Sequence, residues 1–334
     1  MAERITFTEE LTDLAHMNLL EGFSPREAYI EEMAALLESD PSKYMFVGAE
    51  GASYSGKLLE LKAKLPECFL EFGIAEQNAV GAASGLALCG KTVFLNGFGP
   101  FLALRTLDQV HTDIAYQNLP VRLVNTHAGV TSGGGPTHYN IMDIGIMRMM
   151  PNMTVIVPSD ADQCKKAIRA TEDITGPVNI RVTRGKEPQV YTNTDYEFIV
   201  GKAVEAVEGN DITIIACGSA VSMAVSAANG LAKEGISARV LDMHTIWPLD
   251  KEAIVKAAKE TKAIITVEDH VNVGGLGGAV AEVVAAEGIG TKVKILGLPR
   301  AEGFPHLGDM WDLYACYGFD SEGIKKTARE MLDK

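Results

Sequence analysis

Positive charge is scarce in this chain: 30 Lys and Arg stand against 44 Asp and Glu, a formal net charge of −14. A surface of that sign argues against a nucleic-acid-binding face and against a polybasic membrane patch. It leaves anionic small molecules open, because they need only a local cationic pocket. The cysteines are few and unpatterned. Cys68, Cys89, Cys164, Cys217 and Cys316 form no CxxC pair, so neither a zinc site nor a disulfide framework is expected, and a reducing cytoplasm fits. Long apolar runs are missing too. The nearest to a membrane length, 212–232, holds Gly218, Ser219, Ser222, Ser226 and Asn229, and reads as strand, turn and helix. The first residues carry Glu3, Glu9, Glu10 and Asp13 and have no apolar core, so no signal peptide is expected.

What is present is an ordinary globular composition, 47% hydrophobic and 22% charged, in a chain of 334 residues that suits two domains better than one core. Short β-branched or apolar runs alternate with longer helical patterns. In the first half the strand candidates are 44–48, 68–72, 92–95, 121–126, 154–157 and 178–182, and the helix candidates are 25–37, 76–88, 102–117, 140–149 and 160–171. Ser24-Pro25 and Ser159-Asp160 supply start signals for two of these helices. The stretch 185–195 is polar, contains Pro188 and loses the alternation, as a linker does. Beyond it the strands 212–216, 238–241, 263–267 and 292–296 alternate with the helices 220–233, 251–261, 278–286 and 322–332. The expected fold is α/β: two domains, each a mainly parallel sheet flanked by helices, over 1–185 and 197–334 with a linker at 186–196.

Four segments stand out chemically. In Glu71-Phe72-Gly73-Ile74-Ala75-Glu76-Gln77-Asn78, a carboxylate sits where an apolar strand turns into a small-residue helix. Taken alone, Glu76 reads as an acid favouring a helix N-terminus, but a carboxylate among apolar neighbours must be paired, protonated or functional. Asn96-Gly97-Phe98-Gly99-Pro100-Phe101 places two rings after glycines at a strand end, either core phenylalanines or a flat surface for a heteroaromatic ring. His127 and His138 flank a glycine-rich loop just past a strand, where binding loops of open parallel sheets lie. Arg184 follows the strand 178–182 and is either a surface ion-pairing residue or a phosphate grip. In the second half, Glu268-Asp269-His270-Val271-Asn272-Val273-Gly274-Gly275-Leu276-Gly277-Gly278 could cradle a phosphate at a helix N-terminus, although a structural role is the better reading.

Together these segments resemble the pyrimidine-binding and C-terminal domains of the transketolase family, over nearly the whole chain. The resemblance rests on Ala75-Glu76-Gln77-Asn78, on the Phe98/Phe101 pair, on Thr126-His127, on Gly135-Pro136-Thr137-His138 and on Thr183-Arg184. It implies that Glu76 is catalytic and hydrogen-bonds the aminopyrimidine of thiamine diphosphate while Phe98 and Phe101 pack that ring. It also implies that His127 and His138 are catalytic and contact substrate oxygens, and that Arg184 holds a sugar phosphate. The implied reaction moves a two-carbon ketol unit between ketose and aldose phosphates. The implied setting is carbohydrate metabolism of the pentose phosphate kind, in the cytoplasm. The Gly-Asp-Gly that holds the diphosphate and its metal in such enzymes is absent, and the only Gly-Asp is Gly308-Asp309. The chain therefore resembles the C-terminal subunit of a split transketolase. Thiamine diphosphate would be shared with a separate N-terminal-type subunit, which would also hold Mg2+ or another divalent ion, in a heterotetramer of two copies of each. Two related readings remain, the beta subunit of a 2-oxo acid dehydrogenase decarboxylating component and a 1-deoxyxylulose-5-phosphate synthase-like enzyme. A cofactor-free structural relative is the non-enzyme reading. One departure stands out. Gly133-Gly134 replaces the family's usual Glu-Asp in a loop one residue shorter, so looser selection at a substrate hydroxyl is expected unless Ser132, His138 or a partner group takes the place of that Asp.

Overall fold

The computed structural model describes residues 23–49, 56–131, 133–191 and 195–333. Glu3, Glu9, Glu10 and Asp13, Ser132, and residues 192–194 of the expected linker lie outside the described residues. In chain order the strands are β1 (Tyr44–Ala49), β2 (Phe69–Glu71), β3 (Thr92–Phe98), β4 (Val121–Thr126), β5 (Thr154–Ile156), β6 (Val178–Arg181), β7 (Val204–Val207), β8 (Ile212–Ala216), β9 (Ala238–Asp242), β10 (Thr245–Trp247), β11 (Ala263–Val271) and β12 (Lys292–Leu298). The helices are α1 (Pro25–Ser39), α2 (Gly56–Lys64), α3 (Glu76–Leu88), α4 (Leu107–Gln109), α5 (Asp143–Arg148), α6 (Ala161–Ala170), α7 (Ala220–Lys233), α8 (Lys251–Glu260), α9 (Leu276–Ala286), α10 (Met310–Cys316) and α11 (Ser321–Met331).

Two sheets organise the chain, in the orders β10-β5-β6-β4-β3-β1-β2 and β12-β11-β8-β9-β7. Within each, the pairs are parallel except at one edge, where β10 runs antiparallel to β5 and β7 antiparallel to β9. The inner strands explain the parallel arrangement. β1, β4, β8 and β9 are buried at every residue, as strands covered by helices on both faces must be. The helix start signals act as expected: Ser24 accepts from the Glu27 N–H and Asp160 from the Gln163 N–H.

Several elements depart from the sequence reading. Thr245–Trp247 belongs to the second half of the chain yet joins the first sheet, and Ile246 enters the core of that sheet. The pairing covers what would otherwise be an open edge at β5. The residues expected as one helix over 102–117 are helical but wound largely as π-helix, over Phe101–Arg105 and Val110–Ala115 around the short α4. Helix α2, helix α10 and the edge strand β7 carry too little periodic apolar sequence to stand out.

Buried polar contacts join the two sheets' domains. Arg181 donates to both oxygens of Asp143 (3.2 and 3.1 Å) and to the carbonyls of Asn140 (2.8 Å) and Asp269 (2.6 Å). Val130 N–H donates to Asp269. Gly129 sits so close to that carboxylate that a Cβ there would lie 1.6 Å from Asp269 Oδ2.

Candidate active site

The residues singled out in the sequence line up along the carboxyl ends of adjacent parallel strands. β6, β4 and β3 are consecutive neighbours, with β1 and β2 beyond. Arg184 lies just past β6, His127 just past β4, Phe98 ends β3, and Glu76 opens the helix that follows β2. Strand register alone therefore brings four distant segments to one rim, where open α/β sheets bind ligands.

Gly73, at φ +63°, turns the chain from β2 toward α3, a backbone conformation favoured by glycine. Ala75 at the cap position makes no side-chain bond to the helix, and Glu76 occupies the first turn. Its side chain is 1% exposed. Arg105 Nη1 donates to Glu76 Oε2 at 2.7 Å, while Glu76 Oε1 is buried and has no hydrogen-bond partner among the described residues. Arg105 also lies over the Phe101 ring, 4.4 Å from its centroid.

The rings form a continuous cluster. Phe98 and Phe101 meet edge to face at 6.0 Å, Phe98 meets His127 at 4.0 Å, and His138 lies 6.0 Å from Phe98 and 5.2 Å from Phe101. The site thus joins Glu76, through Arg105, to Phe101, His138, Phe98 and His127. Gly99 permits this packing from behind, because a Cβ there would collide with buried Asn140.

His127 is held in a left-handed backbone conformation, φ 59°, unusual for a residue with a side chain. The Thr126 hydroxyl donates to the Gly97 carbonyl at 3.0 Å. Its single proton is thereby used, so toward His127 Nδ1, 3.0 Å away, it accepts. That assignment puts the proton on Nδ1 and leaves Nε2 as the acceptor nitrogen of the ring. Burial, with the nearby charges of Arg184, Arg26 and His138, pushes the His127 pKa down to about 3, so the ring is neutral at neutral pH. The Thr137 hydroxyl is paired with His138 Nδ1 at 2.9 Å. Arg184 is exposed; its N–H donates to Thr131 Oγ1, and its guanidinium passes the glycine loop, 3.5 Å from where a Cβ on Gly133 would be.

The structure therefore brings together all six residues singled out: Glu76, Phe98, Phe101, His127, His138 and Arg184. Two arginines were missed. Arg105 was hidden inside a helical pattern. Arg26 follows the Ser24-Pro25 start signal of α1, its charge bears on His127, and its Nε is buried without a partner among the described residues. A basic residue directly after a helix start was the only signal. The position of Gly134 also acquires a steric reason, since a Cβ there would lie 2.7 Å from His138 Cγ.

The glycine-rich turn of the second domain is filled from within. Glu268 Oε2 accepts from Leu276 N–H (2.7 Å) and Oε1 from Gly277 N–H (2.8 Å). The helix N-terminus is occupied by the chain's own carboxylate, so it offers no phosphate cradle. Among the described residues no group of three or more His, Cys, Asp or Glu is placed to hold a metal ion, and no helix is long and apolar enough to cross a membrane.

Comparisons with known proteins identify the two domains that carry these residues. The transketolase pyrimidine-binding domain matches residues 21–189, and the transketolase C-terminal domain matches residues 201–324. The chain is 42% identical to one of the subunits of the apulose-4-phosphate transketolase of Phocaeicola vulgatus, over 92% of this chain and 97% of that one. It is 41% identical to a putative transketolase C-terminal section of Methanocaldococcus jannaschii, over 81% of this chain and 85% of that one. A solved split-gene transketolase, described as an inactive beta4 tetramer, superposes with a TM-score of 0.82 at 36% identity, covering 93% of this chain and 99% of that one.

Proposed function

This chain belongs to the transketolase family in its split form, where the C-terminal section is a polypeptide of its own, and from that we propose that it supplies the aminopyrimidine half of a thiamine-diphosphate site completed by an N-terminal-type subunit. The observation that carries the reading is Glu76 Oε1, a buried acceptor with no partner among the described residues, beside a wall of aromatic rings. Buried polar atoms are normally satisfied, so an orphan oxygen at the edge of such a cluster fits a ligand with a ring nitrogen to face it. In this reading Glu76 exchanges a hydrogen bond with that nitrogen, and Phe98 and Phe101 pack the ring. When bound, thiamine diphosphate supplies the electron sink for breaking and forming the ketose carbon–carbon bond.

The chain's own residues would bind and orient the sugar. Neutral His127 accepts from a substrate hydroxyl through Nε2, and His138 contacts the adjoining oxygens. Arg184, with Arg26, gives the outer end of the site a cationic character suited to a phosphate-terminated sugar. We take the substrates to be ketose and aldose phosphates, of the pentose phosphate kind or near it, handled in the cytoplasm. Mg2+ or another divalent ion, with the diphosphate, would be held by the other polypeptide, because this chain has no Gly-Asp-Gly. A heterotetramer of two copies of each chain is the simplest assembly with cofactor sites between subunits.

The test is reconstitution. The chain and its N-terminal-type partner are mixed, titrated with thiamine diphosphate and Mg2+, and assayed for ketol transfer. Cofactor binding and transfer are expected only for the mixture. Transfer by this chain alone, or a mixture that assembles but binds no cofactor, would refute the proposal; the second result would favour the cofactor-free relative.

A further inference from the structure

The two oxygens of the Glu76 carboxylate are chemically equivalent but differently placed. Oε2 accepts from Arg105 Nη1 at 2.7 Å, and Oε1 accepts nothing among the described residues. A carboxylate turns easily about its last bond, because that torsion is broad and roughly two-fold. Something must therefore select one orientation if a single oxygen is to meet a ligand. Arg105 is built to do so. Its guanidinium is a planar fork, and it lies 4.4 Å from the centre of the Phe101 ring, which restricts its tilt. The helical spacing of four residues between Phe101 and Arg105, here in a π-wound turn, sets the arginine over that ring, and it reaches Glu76 from there. π-Helical turns are rare and recur at functional sites.

The Arg105 side chain is 44% exposed while Glu76 is 1% exposed, so the arginine compensates a buried charge from the solvent side, a service any nearby cation could give without fixing which oxygen it takes. Orientation is what the contact can supply. We propose that Arg105 is a positioning residue: seated on the Phe101 ring, it holds Glu76 by Oε2 and so aims Oε1 at the ring nitrogen of the bound cofactor. This rests on the thiamine-diphosphate reading of the site and goes beyond it by assigning the orientation of Glu76 to a residue of a different helical segment.

The test uses binding, not turnover. For the assembled enzyme, calorimetry gives Kd for thiamine diphosphate and for the analogue in which a C–H replaces the ring nitrogen facing Glu76. The ratio of the two isolates the contact made by Glu76. In the wild type the natural cofactor is expected to bind more tightly, and Glu76→Ala is expected to remove that preference. Arg105→Met keeps an apolar stem on Phe101 and removes the donor. It is expected to lower the preference at least about tenfold, the size of one charge-assisted hydrogen bond, while the Kd of the analogue changes little. Arg105→Lys, which keeps a donor, is expected to recover most of it. An unchanged preference in Arg105→Met would overturn the proposal, as would equal weakening of both ligands, the result of a merely structural role. No preference in the wild type would refute the cofactor reading itself and the proposal with it.

Discussion

Glu76 combines near-complete burial with one oxygen left unpaired among the described residues, at the strand-end rim where the rings and histidines gather. Glu76→Gln keeps the shape and the Arg105 contact through its carbonyl oxygen but removes the acid. In the reconstituted enzyme, kcat is expected to fall roughly a hundred- to ten-thousand-fold while the melting temperature of the chain hardly moves, as steady-state kinetics and thermal unfolding will show. Gly134 poses a different question. Restoring the family's Asp there does more than add a hydrogen-bonding group, because any Cβ lies 2.7 Å from His138 Cγ and the ring must move. Gly134→Ala is therefore expected to lower kcat/KM by about 10- to 100-fold, as displacement of a substrate-positioning group does, and Gly134→Asp at least as much. An alanine variant with wild-type kcat/KM, beside an aspartate variant with altered preference between 2-hydroxyaldehyde configurations, would show that the missing carboxylate and not the space governs this position.

At the scale of the element, the turn into α9 shows how similar sequence signatures diverge in use. Glycines before a helix can cradle a phosphate. Here Gly275 is needed because a Cβ would meet Glu268 Oε2 at 2.0 Å, and the carboxylate takes the Leu276 and Gly277 N–H groups. Glu268→Ala leaves two buried donors without partners, and is expected to cost roughly 2–4 kcal/mol. Hydrogen exchange should locate the loss: the first-turn amides of α9 become less protected, while those of β1 and β4 change only by the global amount. The π-wound segment from Phe101 to Ala115 makes a related point. Its apolar spacing announces a helix, and only contacts made with α3 and the rings fix its local winding.

Across the whole molecule, the two domains meet through buried carboxyl groups. Asp242 accepts from the Tyr191 hydroxyl (2.5 Å) and Gln163 Nε2 (2.8 Å), and burial pushes its pKa up to about 7. Burial likewise raises Glu187, which accepts from Ser219, to about 7. In the unfolded chain such groups titrate near about 4, so between about pH 4 and 7 the folded state binds more protons. Their stabilising contribution is complete below about pH 4 and is lost as pH rises through about 7. His127 and His244, lowered to about 3 and about 4 by burial, act in the opposite direction, with stability present above about pH 6.5 and lost on acidification. Asp242→Asn keeps an acceptor for Tyr191 and removes the proton. It should leave the melting temperature less dependent on pH between about 5 and 7, and a slope equal to that of the wild type would show that Asp242 is not the group responsible.

The sequence determined what depends on local order and residue chemistry. Alternating strand and helix patterns set two α/β domains, and helix α3 and strand β4 have the bounds their own apolar runs dictate. Glu76, Phe98, Phe101, His127, His138 and Arg184 were singled out by their places beside strand ends and glycine turns together with the family resemblance of their motifs. The tertiary structure decided what depends on proximity across the chain. β10 joins the first sheet although its residues lie among those of the second domain, because an open strand edge there could be paired by nothing nearer in sequence. Arg105 and Arg26 enter the site only when helices separated from Glu76 and His127 pack onto the sheet, and no periodicity encodes which cation will meet which carboxylate or ring. His127 is kept neutral by burial and by neighbouring charge, both consequences of packing. Gly134 read as a missing side chain until folding put the His138 ring where its Cβ would be.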